Sequence, residues 1–361
     1  MVAAPVADSV FPGFVDLPPV HLPHDVNPTS VTAAGDQVWV SGVQIDPGTG
    51  GEFPRFLHAR AGGQLEPPSG SSVGTSVVAG ASHTFLVAYA GDGHQVLQVR
   101  DTTTGALQRE DDLTVRYGAD SALVQVTGDG TGPLVLLMTK SKPAQEKPGG
   151  IDNRISVGVF GSEGSLTRVT PFLSQPTYQT SSGTLTDGFP PTVRLLRGVP
   201  RSLVFSRSEV DVATGAVRPL RFAGTPEPPA GSAVGEVGGH LVWQVEQDNS
   251  PFHNEAQVSD LDGGSLTETG TRGDLILADG HLFRALTLGD PQVYGDPANE
   301  QRAQELDPVT LQPVGPLGLP FHPFLTLHGG TFATHTPASM SSSKGLPLGG
   351  VITVAQPAPL R

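Results

Sequence analysis

The segments Gly239-His-Leu-Val-Trp-Gln-Val245 and Gly280-His-Leu-Phe-Arg-Ala-Leu286 repeat one short pattern, a glycine turn followed by an apolar strand. The same pattern follows Gly35, Gly80, the Gly128–Gly132 cluster, Gly198 and Gly329–Gly330. Most of these turns lie about 40 to 50 residues apart, the period of a unit of four antiparallel strands. The repeat therefore predicts an all-β chain of seven such units.

The apolar runs before the turns predict the first strand of each unit. These runs are Ser30–Ala34, Thr75–Ala79, Ala122–Thr127, Thr192–Arg197, Ala233–Val237, Leu275–Ala278 and Phe324–His328. Third strands repeat as well, since Leu97–Asp101, Ala256–Asp260 and Ala303–Asp307 align without gaps. The fold class predicted is a seven-bladed β-propeller of four-stranded antiparallel blades in a single domain, 1–361. The blades are expected near residues 26–67, 68–114, 115–175, 190–223, 230–270, 271–316 and 322–361 plus 11–17.

The last of these units lacks a strand. After Val351–Val354 the chain continues into a segment with Pro357 and Pro359, which do not suit a hydrogen-bonded ladder. We therefore expect Phe11–Leu17 to close the ring as the outer strand of the last blade, which removes two open edges. Pro171–Pro191 is predicted to be a polar insertion between the third and fourth blades.

Two turn sequences carry a family resemblance. Asp101-Thr-Thr-Thr-Gly-Ala-Leu107 and Asp211-Val-Ala-Thr-Gly-Ala-Val217 resemble the Asp-x-x-Thr-Gly turn of the bacterial YVTN and PQQ-like propellers. The resemblance implies the propeller fold, and it says almost nothing about activity. Only Trp39 and Trp243 are present, so the tryptophan-docking repeat of quinone-dependent dehydrogenases is missing.

The amino-acid composition excludes or disfavours several classes of function. The formal net charge of −14 disfavours a nucleic-acid partner, because such binding needs a basic surface. With no cysteine, disulfides and thiolate metal sites are excluded. The longest apolar run, Pro133–Met138, is too short for a transmembrane segment. Met1–Asp8 has neither a basic nor an apolar region, so the chain is either cytoplasmic or a processed exported protein. We favour an extracytoplasmic monomer.

Loop lengths predict a binding rim. With strands a to d numbered outward from the centre of each blade, the b–c connections lie on one rim with the connections between blades. Five b–c connections look long and polar, which is typical of binding loops: Val43–Phe53, Thr139–Asn153, Glu246–Asn254, Thr287–Gln301 and Thr336–Gly349. The predicted binding rim comprises His24, Asp25, Arg116, Tyr117, Asp120, Arg154, His253, Glu255, Tyr294, Asp296 and His335.

The sequence contains no motif that identifies a catalytic or metal site. Histidines and carboxylates of the rim could together hold Ca²⁺ or another divalent metal, although no pair has a ligand spacing. Lys140–Lys147 with Arg154 forms the one basic cluster, which suits an anionic ligand or a solvated loop. No Gly-x-Ser-x-Gly nucleophile motif is present.

These observations favour a non-enzymatic propeller that binds a protein or carbohydrate on its long-loop rim, with no cofactor assigned. The alternative is a metal-dependent, lactonase-like hydrolase with its site at the channel mouth. A structural envelope protein is the third hypothesis.

Overall fold

The computed structural model describes the chain in segments. They are residues 9–69, 73–89, 95–112, 121–127, 135–143, 150–160, 166–180, 183–185, 194–196, 202–205, 208–211, 214, 216–219, 231–237, 239–246, 254–260, 267–272, 274–278, 281–287, 301–321, 332–340 and 346–357. All regular structure in these segments is β-strand. Within them, no helix is long and apolar enough to cross a membrane.

The strands are numbered in chain order. They are β1 (Phe14–Asp16), β2 (Val20–Leu22), β3 (Val26–Ala34), β4 (Gln37–Ile45), β5 (Glu52–Arg60), β6 (Val73–Ala79), β7 (His83–Tyr89), β8 (Gln95–Asp101), β9 (Leu107–Asp112), β10 (Ser121–Thr127), β11 (Val135–Pro143), β12 (Gly150–Phe160), β13 (Leu166–Thr180), β14 (Gly183–Leu185), β15 (Arg194–Leu196), β16 (Ser202–Phe205), β17 (Ser208–Asp211), β18 (Val217–Pro219), β19 (Gly231–Val237), β20 (His240–Glu246), β21 (Asn254–Asp260), β22 (Thr267–Arg272), β23 (Asp274–Ala278), β24 (His281–Thr287), β25 (Gln301–Leu306), β26 (Pro313–Phe321), β27 (Phe332–Thr336), β28 (Ser339–Met340), β29 (Pro347–Leu348) and β30 (Gly350–Pro357).

In the described segments these strands form seven antiparallel sheets of three to five strands and one hairpin, β28–β29. The first six sheets follow the chain as β3–β5, β6–β9, β10–β14, β15–β18, β19–β22 and β23–β26. The seventh contains β27 and β30, with β1 and β2 paired to the other edge of β30. Six of the predicted first strands overlap β3, β6, β10, β15, β19 and β23, and the seventh, Phe324–His328, lies outside the described residues.

Consecutive sheets pack face to face. The first strands of several neighbouring sheets contact each other. The contacting pairs are β3 with β6, β6 with β10, β15 with β19, and β19 with β23. Apolar clusters fill the space between sheets: Trp39 and Phe56 with Val77 and Leu86 join the first and second sheets. Val237 and Val242 pack with Leu275 and Leu282 between the fifth and sixth. Because these pairs of sheets bury apolar side chains between them, the arrangement is that of propeller blades.

The N-terminal segment joins three sheets. Phe11 is fully buried between the sixth and seventh sheets, stacked on Phe332 at 4.3 Å and edge-on to Phe283 at 5.4 Å between ring centroids. β1 then pairs with the end of β30, from Phe14 opposite Pro357, and β2 pairs with its beginning. His21 of β2 also bridges to Gln64 beside the first sheet. Of the predicted outer strand Phe11–Leu17, the pairing with the last sheet is confirmed for Phe14–Asp16. The pairing of β2 and the insertion of the Phe11 ring between two sheets are not predicted by the sequence.

Aspartate turns close several hairpins, as their sequence predicts. Asp101 Oδ1 accepts hydrogen bonds from the backbone N–H of Thr103 and from the N–H and hydroxyl of Thr104, at 2.7 to 3.1 Å. Bonds from Thr104 lower the pKa of Asp101, because they favour its charged form. Gly105 follows with φ of +70°. In the related turn of Asp307, Leu311 takes that place with φ of +53°.

The third sheet departs from the prediction. Part of the expected insertion Pro171–Pro191 is strand, since β13 runs to Thr180 and β14 adds a fifth strand beside it. The expected loop Thr139–Asn153 is also partly strand, because β11 extends to Pro143 and β12 begins at Gly150. The b–c connection of this sheet is therefore shorter than predicted. Polar residues at the end of a hairpin can still join the strands through their backbone hydrogen bonds.

Candidate functional site

The predicted binding rim is described best around the first sheet. Here the expected long loop Val43–Phe53 is wrong, because β4 runs to Ile45 and β5 begins at Glu52. The connection is a compact turn in which Asp46 Oδ1 accepts from the N–H groups of Gly48, at 2.7 Å, and Thr49. These bonds lower the pKa of Asp46. The ends of β4 and β5 are therefore joined on this rim by a short turn and not by a long loop.

Three predicted rim residues meet where the seventh sheet adjoins the first. His335 is 2% exposed in β27, and its Nε2 lies 2.6 Å from the Gly349 carbonyl oxygen. Gly349 donates its N–H to Val26, and a Cβ at this glycine would lie 2.8 Å from the Cα of His24. The exposed His24 and the half-buried Asp25 form the turn before β3. His335 therefore has a structural contact at this seam rather than an exposed ring.

Asp25 anchors a chain of polar side chains on the same rim. Its Oδ2 accepts from Gln44 Nε2 at 2.6 Å, and Gln44 Oε1 accepts from Arg55 Nε at 3.0 Å. The Arg55 guanidinium carbon lies 5.9 Å from the ring centroid of Phe53, which is 46% exposed. The relay holds the Arg55 guanidinium in place at the rim. Asp25 is a predicted rim residue, and Gln44 and Phe53 lie in the predicted rim loop Val43–Phe53. Arg55 lies outside every predicted rim segment, since nothing in its spacing marks it.

The other predicted rim residues are not brought to this place by the described structure. Arg154 lies in β12, opposite Lys140 of β11, and Glu255 lies in β21, opposite Val245 of β20. The remaining six fall outside the described residues: Arg116, Tyr117, Asp120, His253, Tyr294 and Asp296.

An open pocket of about 470 Å³ lies on the opposite rim, between the first and second sheets. A hydrogen-bonded chain lines it: Arg60 pairs with Asp36 at 2.5 Å, Gln37 donates to Asp36, and His58 Nε2 lies 3.0 Å from Gln37 Oε1. The bond from Arg60 lowers the pKa of Asp36. Thr103 completes the lining from the second sheet.

His58 is the titratable centre of this pocket. Its ring stacks on buried Trp39 at 4.2 Å between centroids. Burial lowers the pKa of His58, while a hydrogen bond to the Thr102 backbone and the charge of Asp101 act in the opposite direction. The lowered pKa favours the neutral side chain near pH 7. In the sequence His58 is a lone histidine in a strand, and no motif marks it.

The sequence alone does not decide whether the protein binds a metal ion. Within the described segments, no group of three or more histidine, cysteine, aspartate or glutamate side chains is placed to hold a metal ion.

Comparisons with known proteins give fold relatives only. No protein-family model matches the chain, and no curated protein matches it. A puromycin-hydrolysing peptidase of Mycobacterium tuberculosis aligns over 90% of this chain and 53% of its own length, with TM-score 0.52 and 15% identity. An acylaminoacyl peptidase bound to Z-Gly-Gly-Phe-chloromethyl ketone aligns over 92% and 51%, with TM-score 0.51 and 8% identity. The β-propeller domain of the Trilobed protease from Pyrococcus furiosus also matches, with TM-score 0.46, 8% identity, and 92% and 95% coverage.

The chain has a β-propeller fold. It spans about half the length of the two larger peptidases that it matches. The predicted function as a non-enzymatic binding propeller is contradicted by this comparison, because the two peptidases with TM-scores above 0.5 are enzymes. The narrower YVTN and PQQ-like class is not confirmed.

Proposed function

We propose that this chain is the β-propeller part of a peptidase-class hydrolase. The observation that carries the proposal is the pattern of coverage: at least 90% of the chain aligns with about half of two peptidases. A unit that matches one half of an enzyme so completely is expected to do the work of that half. For a propeller beside a catalytic unit, this work is to hold and orient the peptide through its rim loops.

We also propose that the seven sheets are seven blades of a closed ring. Support comes from the order of the sheets, from their contacts through first strands, and from the pairing of β1 and β2 with β30. Deletion of residues 1–18 removes both the Phe11 wedge and β1, so thermal unfolding should occur at a clearly lower temperature. An unchanged melting temperature would show that the ring is closed elsewhere or is open.

The test of function uses the protein at its natural length, isolated through an affinity tag added to its own gene. Purified material is assayed on fluorogenic amides of single amino acids, of acylated amino acids and of Z-Gly-Gly-Phe. We expect amide hydrolysis that follows the chain through purification and is blocked by a peptide chloromethyl ketone. A parallel purification from a strain with the untagged gene gives the background.

Two results would overturn the proposal. One is the absence of hydrolysis on every amide tested, with the protein folded by circular dichroism. The other is hydrolysis of lactones or simple esters with none of amides, which would place the protein in another hydrolase class.

A further inference from the structure

Arg55 is held in place more firmly than a surface arginine needs to be. Its Nε donates to Gln44 Oε1, and Gln44 in turn donates to Asp25 Oδ2. All three side chains are half-buried at the rim end of the first sheet. This relay uses Nε, and within the described residues the other guanidinium hydrogen bond is a long one, 3.5 Å from Nη1 to the Pro54 carbonyl oxygen. The two Nη groups therefore retain donor capacity for a ligand.

The nearby carboxylates are already engaged. Asp25 accepts from Gln44, Asp46 accepts from its own turn, and Glu52 has another interaction. In the part of the chain that the structure describes, Arg55 forms no ion pair with a carboxylate, whereas Arg60 and Arg109 each form one. A fixed guanidinium without a carboxylate partner is suited to a carboxylate brought by a ligand.

An apolar surface lies directly beside this cation. Phe53 is two residues away on β5, opposite Gln44 in the register of β4 and β5, and its ring is 46% exposed. Together with the guanidinium 5.9 Å from its centroid, this ring offers a ligand one apolar contact beside one positive charge. A ligand that binds both groups therefore carries a carboxylate next to an apolar side chain.

We propose that Arg55 and Phe53 form a subsite for the C-terminal carboxylate and the apolar last residue of a peptide. The choice of a peptide rests on the proposed function, while the recognition itself rests on the contacts of the first sheet. The two Nη groups bind the carboxylate in a bidentate manner, Phe53 packs on the last side chain, and Gln44 and Asp25 position the guanidinium.

The test measures binding without hydrolysis, by calorimetry with the purified 361-residue chain. The probes are acetyl-Gly-Gly-Phe with a free carboxylate, the same peptide as its C-terminal amide, and acetyl-Gly-Gly-Glu amide, whose carboxylate is on a side chain. We expect the free acid to bind at least about tenfold more tightly than either amide, a difference of about 1.4 kcal/mol. If the glutamate amide binds as well as the free acid, the site binds any carboxylate, and the proposal that it recognises a C-terminal carboxylate is wrong.

Variants show whether peptide binding depends on Arg55 and Phe53 or only on the net charge of the protein. Arg55→Gln should abolish the preference for the acid, Arg55→Lys should retain only part of it, and Phe53→Ser should weaken both peptides. Arg60→Gln is the matched control, since it removes an equal charge from the opposite rim, and it should bind as the unaltered chain does. Equal loss in Arg60→Gln and Arg55→Gln, or no preference for the acid, would overturn the proposal. Because hydrolysis is not measured, its absence in the functional assay leaves this result interpretable.

Discussion

The burial of Phe11 predicts how strongly the N-terminal segment is held. Phe11 is fully buried, and three phenylalanine rings lie within 6.0 Å of its centroid: Phe283, Phe321 and Phe332. Truncation of a buried phenylalanine to alanine costs about 3–5 kcal/mol. Stacked and edge-on aromatic contacts are already part of that cost. We therefore expect Phe11→Ala to weaken the attachment of the segment by about 3–5 kcal/mol.

The suitable assay is native-state hydrogen exchange, because a repeat fold need not unfold in a single step. Peptides that cover β1, β2 and β30 should exchange about 150 to 4,000 times faster in Phe11→Ala. Val15→Ala is the matched control: Val15 lies in β1 and is 49% exposed, so exchange should change little. If Phe11→Ala changes opening by less than about 1 kcal/mol, or if both variants act equally, the wedge does not hold the segment.

Three further variants test other parts of the structure. Asp101→Ala removes three hydrogen bonds from its turn and should lower the denaturant midpoint of unfolding, whereas Thr103→Ala should leave that midpoint nearly unchanged. Burial lowers the pKa of His58 below 6.5, so the unfolded chain binds the proton first and stability falls as the pH drops through about 6.5. His58→Asn should flatten that decline in melting temperature between pH 7.5 and 5, and a pH-independent difference from the unaltered protein would contradict it. A Cβ at Gly74 would overlap the Val87 carbonyl and the Phe56 ring, so Gly74→Ala should destabilise by about 1–3 kcal/mol, unlike Gly48→Ala.

Local patterns in the sequence were sufficient for most strands. The turn of Asp101 follows from its own seven residues, because the aspartate and threonine side chains complete it without distant partners. The first strands were found for the same reason, since each is an apolar run next to a turn. By contrast, Leu311 adopts a positive φ that its residue type disfavours, and its burial against the fifth sheet compensates.

The candidate sites were much harder to predict. Arg55, Gln44 and Asp25 come from three strands or turns of one sheet, and only the register of β3 to β5 brings them together. His58 acquires its character from Trp39 and from Thr102 of the next sheet. Contacts of this kind depend on packing between elements, so neither spacing nor composition could reveal them.

The pairing of β1 and β2 with β30 has a consequence for synthesis of the chain. Phe14 leaves the ribosome about 340 residues before its partner Pro357, a delay of about 15 to 70 s at ordinary rates of translation. For most of that time Phe11 and Phe14 lack their packing partners Phe283 and Phe332, while the intermediate sheets can already assemble. The nascent protein therefore carries an exposed aromatic segment until the last two sheets emerge, which makes this segment a natural target for chaperones and the point at which incomplete chains would aggregate.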